Sequence, residues 1–495
     1  MQTMMEEKAS LKEKTVKGVS WGFVDNVMSA GILAVVNLVL ARLLTPEQFG
    51  IVGMTSIFMT LSTSLVDSGF TGALTRKKTV DENDFNTVFY FNFMTSLLLY
   101  LILYLSAPLI ADFFSQQILV PVVRVLGLSL VVTAVSIVQK VQLVRKIDFR
   151  TQAFISLAAS VLSGATGIAM AVAGCGLWSL VALQLVKLVV SSVLLWAVSS
   201  WRPSFLFSFS SLREMFSFGG RLLLTAIVST IWSEVYAIMI GRVYSASTLG
   251  QYTRAEKFRN MITSNVSIVM QKVSYPVLSS IQDEKQRQAR AYRKLLRTTV
   301  LISFTAVMGL AGIAESAVIV LVGEQWIPCI PYLRILCVAG LFMPLLINSA
   351  NVINANGRSD ITLYLEIMKT LMALFPILMG MLFSIEALLW STVAVSAISF
   401  LVYAKFVSRV IPYTVVEQLK DICPFLIISF VMSAIVYMVS FLPVSQLSIL
   451  LIQIPVGILS VLVLCETVFK SGEYVEIKQM ALKLLKGLCK KQGMQ

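Results

Sequence analysis

Long apolar runs alternate with short basic or mixed stretches from residue 18 to residue 469. Hydrocarbon about 30 Å thick takes roughly 20 residues of helix to cross, and the runs predict about fourteen crossings. They fall at 18–41, 50–74, 86–110, 120–142, 152–173, 177–199, 217–241, 248–280, 293–313, 330–354, 359–381, 385–408, 421–441 and 446–469. Two further apolar stretches, 111–119 and 315–323, are too short to cross and are expected to lie along the interface. The expected fold is all-α and polytopic, with loops too short to hold a soluble domain.

Composition agrees with the pattern. Hydrophobic residues make up 57% of the 495 and charged residues 13%, with a mean hydropathy of +0.83, which sets the chain apart from ordinary soluble domains. The mixed-charge start, residues 1–17, precedes a run too long and too polar for a cleaved signal segment, and is read as a cytoplasmic N-terminus. Cys175, Cys329, Cys337, Cys423, Cys465 and Cys489 show no CxxC spacing and suit small apolar packing better than a disulfide framework. Histidine is absent, which excludes His-based catalysis, proton relay and metal binding.

The charge pattern orients the chain. With both termini inside, basic clusters fall on the inner side at Lys8–Lys17, 76–78, Lys140–Arg150, Arg202, Arg213, Lys285–Arg297, Arg358, Lys405–Lys420 and Lys470–Lys491. The outer loops hold almost only Arg42 and Arg242, as the positive-inside rule requires. The net charge of +14 then reflects topology and attraction to anionic headgroups and calls for no nucleic-acid partner.

A duplication organises the spans. "ARLLTPEQFGIVGM" at 41–54 is answered by "GRVYSASTLGQYTR" at 241–254, "PVVRVL" at 121–126 by "PYLRIL" at 331–336, and "LWSLVA" at 177–182 by "LWSTVA" at 389–394. The offsets are 200, 210 and 212. A unit of six helices enters the membrane from the same side in both copies, so the repeats are parallel. Such repeats place a substrate site between the halves and allow alternating access. The expected domains are an N-terminal lobe at 18–205, a C-terminal lobe at 206–412, two added helices at 413–469 and a basic cytoplasmic tail at 470–495.

Ionisable groups are costly in hydrocarbon and mark protein interiors or wet cavities. Span two sets Ser56, Thr60, Thr63 and Asp67 on one face. Span one carries Asp25 and Asn26, with Asn37 on the Asn26 face; span six carries Lys187; span seven carries Arg221 and Glu234. In span eight Arg254, Lys257, Met261, Asn265 and Lys272 form one stripe, while Glu256 and Arg259 point elsewhere. A basic stripe suits an anionic passenger, because a desolvated phosphate needs charge-assisted partners; intramembrane ion pairs that fix packing are the other reading. Asn348, Asn351 and Asn354 offer amides for sugar hydroxyls or an ordered loop, and Glu366 with Lys369 reads as a structural pair.

"SWGFVDNV", "LARLLTPEQFGIVGM", "VDSGFTGAL", "GLWSLVALQLV" and the span-eight stretch together resemble the polysaccharide-export branch of the multidrug/oligosaccharidyl-lipid/polysaccharide exporter superfamily. Within it the chain is similar to Wzx-type flippases of lipopolysaccharide, colanic-acid and teichuronic-acid synthesis, over essentially its whole length. Where that family often has Asp before the "IGR" turn, this chain has Glu234.

The resemblance implies a non-enzymatic flippase of the bacterial cytoplasmic membrane. Its cargo would be an undecaprenyl-pyrophosphate-linked oligosaccharide, moved from the inner to the outer leaflet. Arg254, Lys257, Lys272, Asn265, Asn351, Asn26, Lys187 and Arg221 would line the pathway, and Asp25, Asp67 and Glu234 would couple a Na⁺ or H⁺ gradient. No cofactor is expected. Polysaccharide polymerase and other glycan-assembly proteins are the expected protein partners. A cation-coupled multidrug or metabolite antiporter is the alternative, against which the basic stripe argues. A glycan polymerase or ligase would want a large outer loop with catalytic groups, and a bare scaffold would leave the buried charges without a role.

Overall fold

The computed structural model describes residues 21–468 apart from 22–24, 26, 68–69 and 78. The basic clusters at Lys8–Lys17 and Lys470–Lys491, Cys489 and Asn26 lie outside the described residues. Helices are the only regular structure among those described. They are α1 (Val27–Leu43), α2 (Pro46–Asp67), α3 (Phe70–Arg76), α4 (Glu82–Phe114), α5 (Leu119–Arg145), α6 (Phe149–Val172), α7 (Trp178–Val198), α8 (Phe209–Val243), α9 (Ala246–Ser279), α10 (Lys285–Gly312), α11 (Ala314–Val322), α12 (Cys329–Gly340), α13 (Phe342–Ala355), α14 (Ser359–Met372), α15 (Leu374–Leu382), α16 (Ile385–Val410), α17 (Val415–Met438) and α18 (Gln446–Val463).

Twelve stretches of the described residues are long and apolar enough to cross a membrane, with α12–α13 and α14–α15 each forming one of them. The expected count of fourteen is not reached on those grounds. α1 is a shorter apolar helix, and α9, although 34 residues long, carries too many polar groups to qualify. Residues 111–114 form the last turn of α4, which stops where Ser115 adopts a left-handed φ of 54°, while most of the other short stretch forms α11.

Polar side chains cap several of the helices at their N-termini. Asp81 and Asp84 form a reciprocal capping box at α4, and Thr414 with Glu417 forms another at α17. The basic stretch Lys285–Arg297 is the opening of α10, because Gln288, Tyr292 and Leu296, spaced by four, are fully buried and pin one face while the basic side chains take the others.

The chain forms two compact units, residues 1–250 and 251–495. In the first, α4 packs along α5, α6 along α7, and α2 against α4, α5 and α8. In the second, α17 lies along α10, α16 against α12, α13 and α15, and α18 against α17. One polar anchor holds α17 to α10. The buried Asp421 takes Arg293 Nε on Oδ2 at 2.6 Å and Nη2 on Oδ1 at 2.8 Å, and Tyr413 donates to the same Oδ2 at 2.5 Å. Burial and that bond to the Asp421 carboxylate push the Tyr413 phenol up, so it stays a donor. The five described cysteines are free thiols.

The two duplicated turns meet inside the first unit. A Cβ on Gly50 would lie 1.7 Å from the carbonyl oxygen of Ala246, and one on Gly250 would lie 1.9 Å from that of Pro46. Adding 200 to 46 and 50 gives 246 and 250, so the contact is reciprocal under the repeat. Both turns also start their helices alike: Thr45 Oγ1 accepts from the backbone of Gln48, and Ser245 Oγ accepts from that of Thr248.

Candidate functional site

In the second unit α9 presents an exposed stripe. Lys257, Met261, Asn265, Ile268 and Lys272 follow one another at spacings of three or four and are all exposed, so one face of this helix leaves its two ammonium groups accessible to a ligand. Asn265 donates to the Met261 carbonyl at 2.7 Å, which leaves its side-chain oxygen on the same face.

Arg254 is placed differently from the rest of the predicted stripe. It is 5% exposed, and its guanidinium lies 4.7 Å from the ring centroid of Trp326, a cation–π stack. Trp326 is fully buried in a single tight turn that follows Gly323, whose φ of 101° suits glycine. Gln251 reinforces the seat by donating to the Gln325 carbonyl at 3.0 Å. Glu256 and Arg259, expected to point elsewhere, pair with each other at 3.3 Å.

The asparagines of span ten are joined to protein groups. Asn348 donates to Thr299 at 3.0 Å, Asn351 to Ser274 at 2.5 Å, and Asn354 accepts from Thr362 at 2.8 Å. Asn351 therefore ties α13 to α9. Glu366 pairs with Lys369 at 2.5 Å and accepts from Tyr403 at 2.9 Å.

The acids lie in the first unit. Ser56 on α2 donates to Glu234 on α8 at 2.8 Å, joining two residues that sequence reasoning had singled out separately. Asp25 accepts from Ser29 at 3.0 Å and lies within electrostatic range of Lys187, which also senses Lys140. Asp67 accepts from the backbone and hydroxyl of Thr71 and so caps α3. Thr60 and Thr63, the other members of its predicted face, are exposed. Arg221 lies on α8, with its side chain outside the described residues.

At the basic-loop end of the same unit Lys77 bridges Asp84 at 2.9 Å and Glu214 at 3.1 Å. The bond to Asp84 outweighs desolvation and holds the Lys77 ammonium above its ordinary range.

An apolar cavity of about 390 Å³ opens in the second unit among α9, α10, α17 and α18, lined by Ile262, Gly309, Met432, Val436, Gly457 and Ile458 among others. Such a lining suits a hydrocarbon chain and offers a sugar almost nothing to hydrogen-bond.

Trp326 was missed from sequence, although an aromatic in the Gly- and Pro-flanked "GEQWIP" is the signal that marks it.

Comparison with known proteins places these features in context. The Polysaccharide biosynthesis protein family matches residues 39–331. The teichuronic acid biosynthesis protein TuaB of Bacillus subtilis (strain 168) is 25% identical over 426 residues, covering 84% of this chain and 87% of that one. The lipopolysaccharide biosynthesis protein WzxC of Escherichia coli (strain K12) is 25% identical over 377 residues, covering 75% and 76%. Among solved structures, the lipid II flippase MurJ in an inward closed conformation superposes with a TM-score of 0.72 at 14% identity, over 91% of this chain and 98% of that one. That likeness is one of fold.

Proposed function

Since the chain belongs to the Polysaccharide biosynthesis protein family, we propose that it is a flippase for a lipid-linked oligosaccharide in surface polysaccharide synthesis. It is a transporter and not an enzyme. The cargo is an undecaprenyl-pyrophosphate-linked unit that crosses from the inner to the outer leaflet of the bacterial cytoplasmic membrane by alternating access, with both termini of the protein cytoplasmic.

The observation that carries this reading is the exposed Lys257–Lys272 face of α9. Two accessible ammonium groups on a helix of a membrane protein attract an anion and repel a cationic drug. The pyrophosphate engages Lys257 and Lys272, with Asn265 assisting at the glycan. Arg254 acts from behind as the group that positions the start of α9. The polyprenyl chain remains in hydrocarbon, for which the apolar cavity offers a matching wall. Asn26, Lys187, Arg221 and Asn351 complete the pathway proposal, Asn351 through its bond to α9.

Deletion of the gene tests the assignment. Loss of surface polymer together with accumulation of completed lipid-linked units, both restored by the wild-type copy, is expected. Normal surface glycan with a changed drug-resistance profile would instead indicate the antiporter.

Energy comes from a Na⁺ or H⁺ gradient, with Glu234, Asp25 and Asp67 as the coupling groups. Glu234 is favoured because Ser56 holds its carboxylate in place from a second helix. Glu234→Gln keeps that hydrogen bond and removes the charge, so the variant's transport is expected to become insensitive to collapse of the gradient. Unchanged gradient dependence, measured as export before and after an ionophore, would move coupling to another residue.

A further inference from the structure

The duplicated "PVVRVL" and "PYLRIL" segments lead to a site outside the proposed pathway. Without gaps, the offset of 210 extends back from Arg124 and Arg334 to residues 105–107 and 315–317, "LSA" and "ESA". The local geometry follows the same register: Ser106 donates to the Leu103 carbonyl at 3.3 Å and Ser316 to the Ile313 carbonyl at 3.1 Å. Arg124 and Arg334 are therefore equivalent positions, and each can be described within its own unit.

Each guanidinium stacks on a tyrosine. Arg124 lies 4.2 Å from the Tyr104 ring centroid and Arg334 4.8 Å from that of Tyr437. The two differ in how their charge is met. Arg334 has a protein carboxylate, Glu315, at 3.5 Å. The counterpart of Glu315 is Leu105, which offers no charge. Among the described residues Arg124 has only the Tyr104 ring and a long bond from Nε to the Tyr104 carbonyl at 3.4 Å, so both Nη groups are left for a ligand.

Arg124 also faces outward. Pro121 and Leu128, which flank it on the same face of α5, are exposed, as are Leu101, Tyr104 and Leu105 on α4. It stands five residues into α5, about 7–8 Å below the helix start at 1.5 Å per residue. A half-buried arginine at this depth, on a lipid-facing surface and backed by an aromatic ring, extends its donors to headgroup level.

We infer that Arg124 and Tyr104 form a binding site for the phosphate of a membrane lipid, in the place that Glu315 fills at the equivalent site of the second unit. Planar guanidinium donors match phosphate oxygens in pairs. The site lies at the end of α4 and α5 opposite the basic loops, hence toward the outer leaflet, an orientation that rests on the topology proposed above. The phosphate itself belongs to an anionic phospholipid or to the polyprenyl pyrophosphate of newly delivered cargo.

The repeat supplies its own controls. The purified full-length chain in detergent would be titrated with phosphatidylglycerol and, separately, with a polyprenyl pyrophosphate, and bound lipids counted by native mass spectrometry. Arg124→Gln is expected to hold one lipid fewer, with binding at that site weakened at least tenfold, while Arg124→Lys keeps part of it. Leu105→Glu supplies the missing carboxylate and is expected to lose the same lipid. Glu315→Leu uncovers Arg334 and is expected to gain one.

Loss for both lipids would assign the site to headgroup phosphate in general; loss for one alone would name that lipid as the source. A Leu105→Glu or Arg124→Gln chain that melts like wild type and holds the full lipid count would overturn the proposal. Because the readout is binding to purified protein, a failure of the flippase reading in cells would leave this result standing.

Discussion

Gly50→Ala and Gly250→Ala are each expected to lower export severely and to reduce the melting temperature of the purified chain. In each case the new methyl group would sit within 2 Å of a backbone carbonyl oxygen, at Ala246 for the first and at Pro46 for the second. No rotamer change relieves a clash with backbone, so the starts of α2 and α9 must separate. Overpacking of this kind costs about 1–3 kcal/mol, and the gain of up to about 1 kcal/mol from alanine in a helix offsets only part of it. A net cost of one or two kcal/mol changes the population of the packed state by a factor of roughly 5–30.

Gly31→Ala supplies the control, since a Cβ there meets nothing within 4 Å, and it is expected to leave export intact and stability equal or slightly higher. Surface polysaccharide and melting temperature, measured on all three variants, decide the matter. Normal export and melting in Gly50→Ala would show that the reciprocal contact is dispensable.

The second large effect separates two cations three residues apart. Lys257→Ala is expected to reduce export at least tenfold while the melting temperature stays near wild type, because substitution of an exposed side chain is usually worth within about 0.5 kcal/mol of stability. A charge-assisted hydrogen bond to the cargo is worth about 1.5–3 kcal/mol, enough for the expected loss. Arg254→Ala is expected to fail in both assays. It removes a cation–π stack worth about 0.5–2 kcal/mol and leaves a void beside the fully buried Trp326.

Arg254→Lys, which keeps the charge and loses the flat stacking surface, should fall between. Full export by Lys257→Ala would remove the anion pathway from α9. Equal melting of Arg254→Ala and wild type would show that the Trp326 stack does not support the fold.

The all-helical membrane architecture was legible from sequence because apolar runs of about 20 residues have one physical solution in hydrocarbon. So was the duplication, and with it the equivalence of Gly50 with Gly250 and of Arg124 with Arg334. The pairing of Glu366 with Lys369 was readable too, since residues three apart on a helix are neighbours. α9 was expected to cross as the eighth span, yet its composition is too polar for it to count among the twelve stretches long and apolar enough to do so.

What periodicity could not supply was the identity of the neighbour. It put Arg254 and Lys257 on one stripe, yet only the packing of the Glu324–Trp326 turn buries the first and leaves the second exposed. It offered Asn351 as a ligand for sugar, and the approach of α9 gave it Ser274 instead. It named Ser56 and Glu234 on separate helices, and the packing of α2 against α8 joined them.

The sequence by itself therefore determined that the chain is an all-α polytopic membrane protein, which segments repeat and which residue types are costly in lipid. Tertiary structure alone decided which of those costly groups are satisfied by protein and which remain open to a ligand. The physical reason is that hydrophobic period reports the direction a side chain takes from its own helix, whereas burial and pairing depend on a second helix arriving from far along the chain.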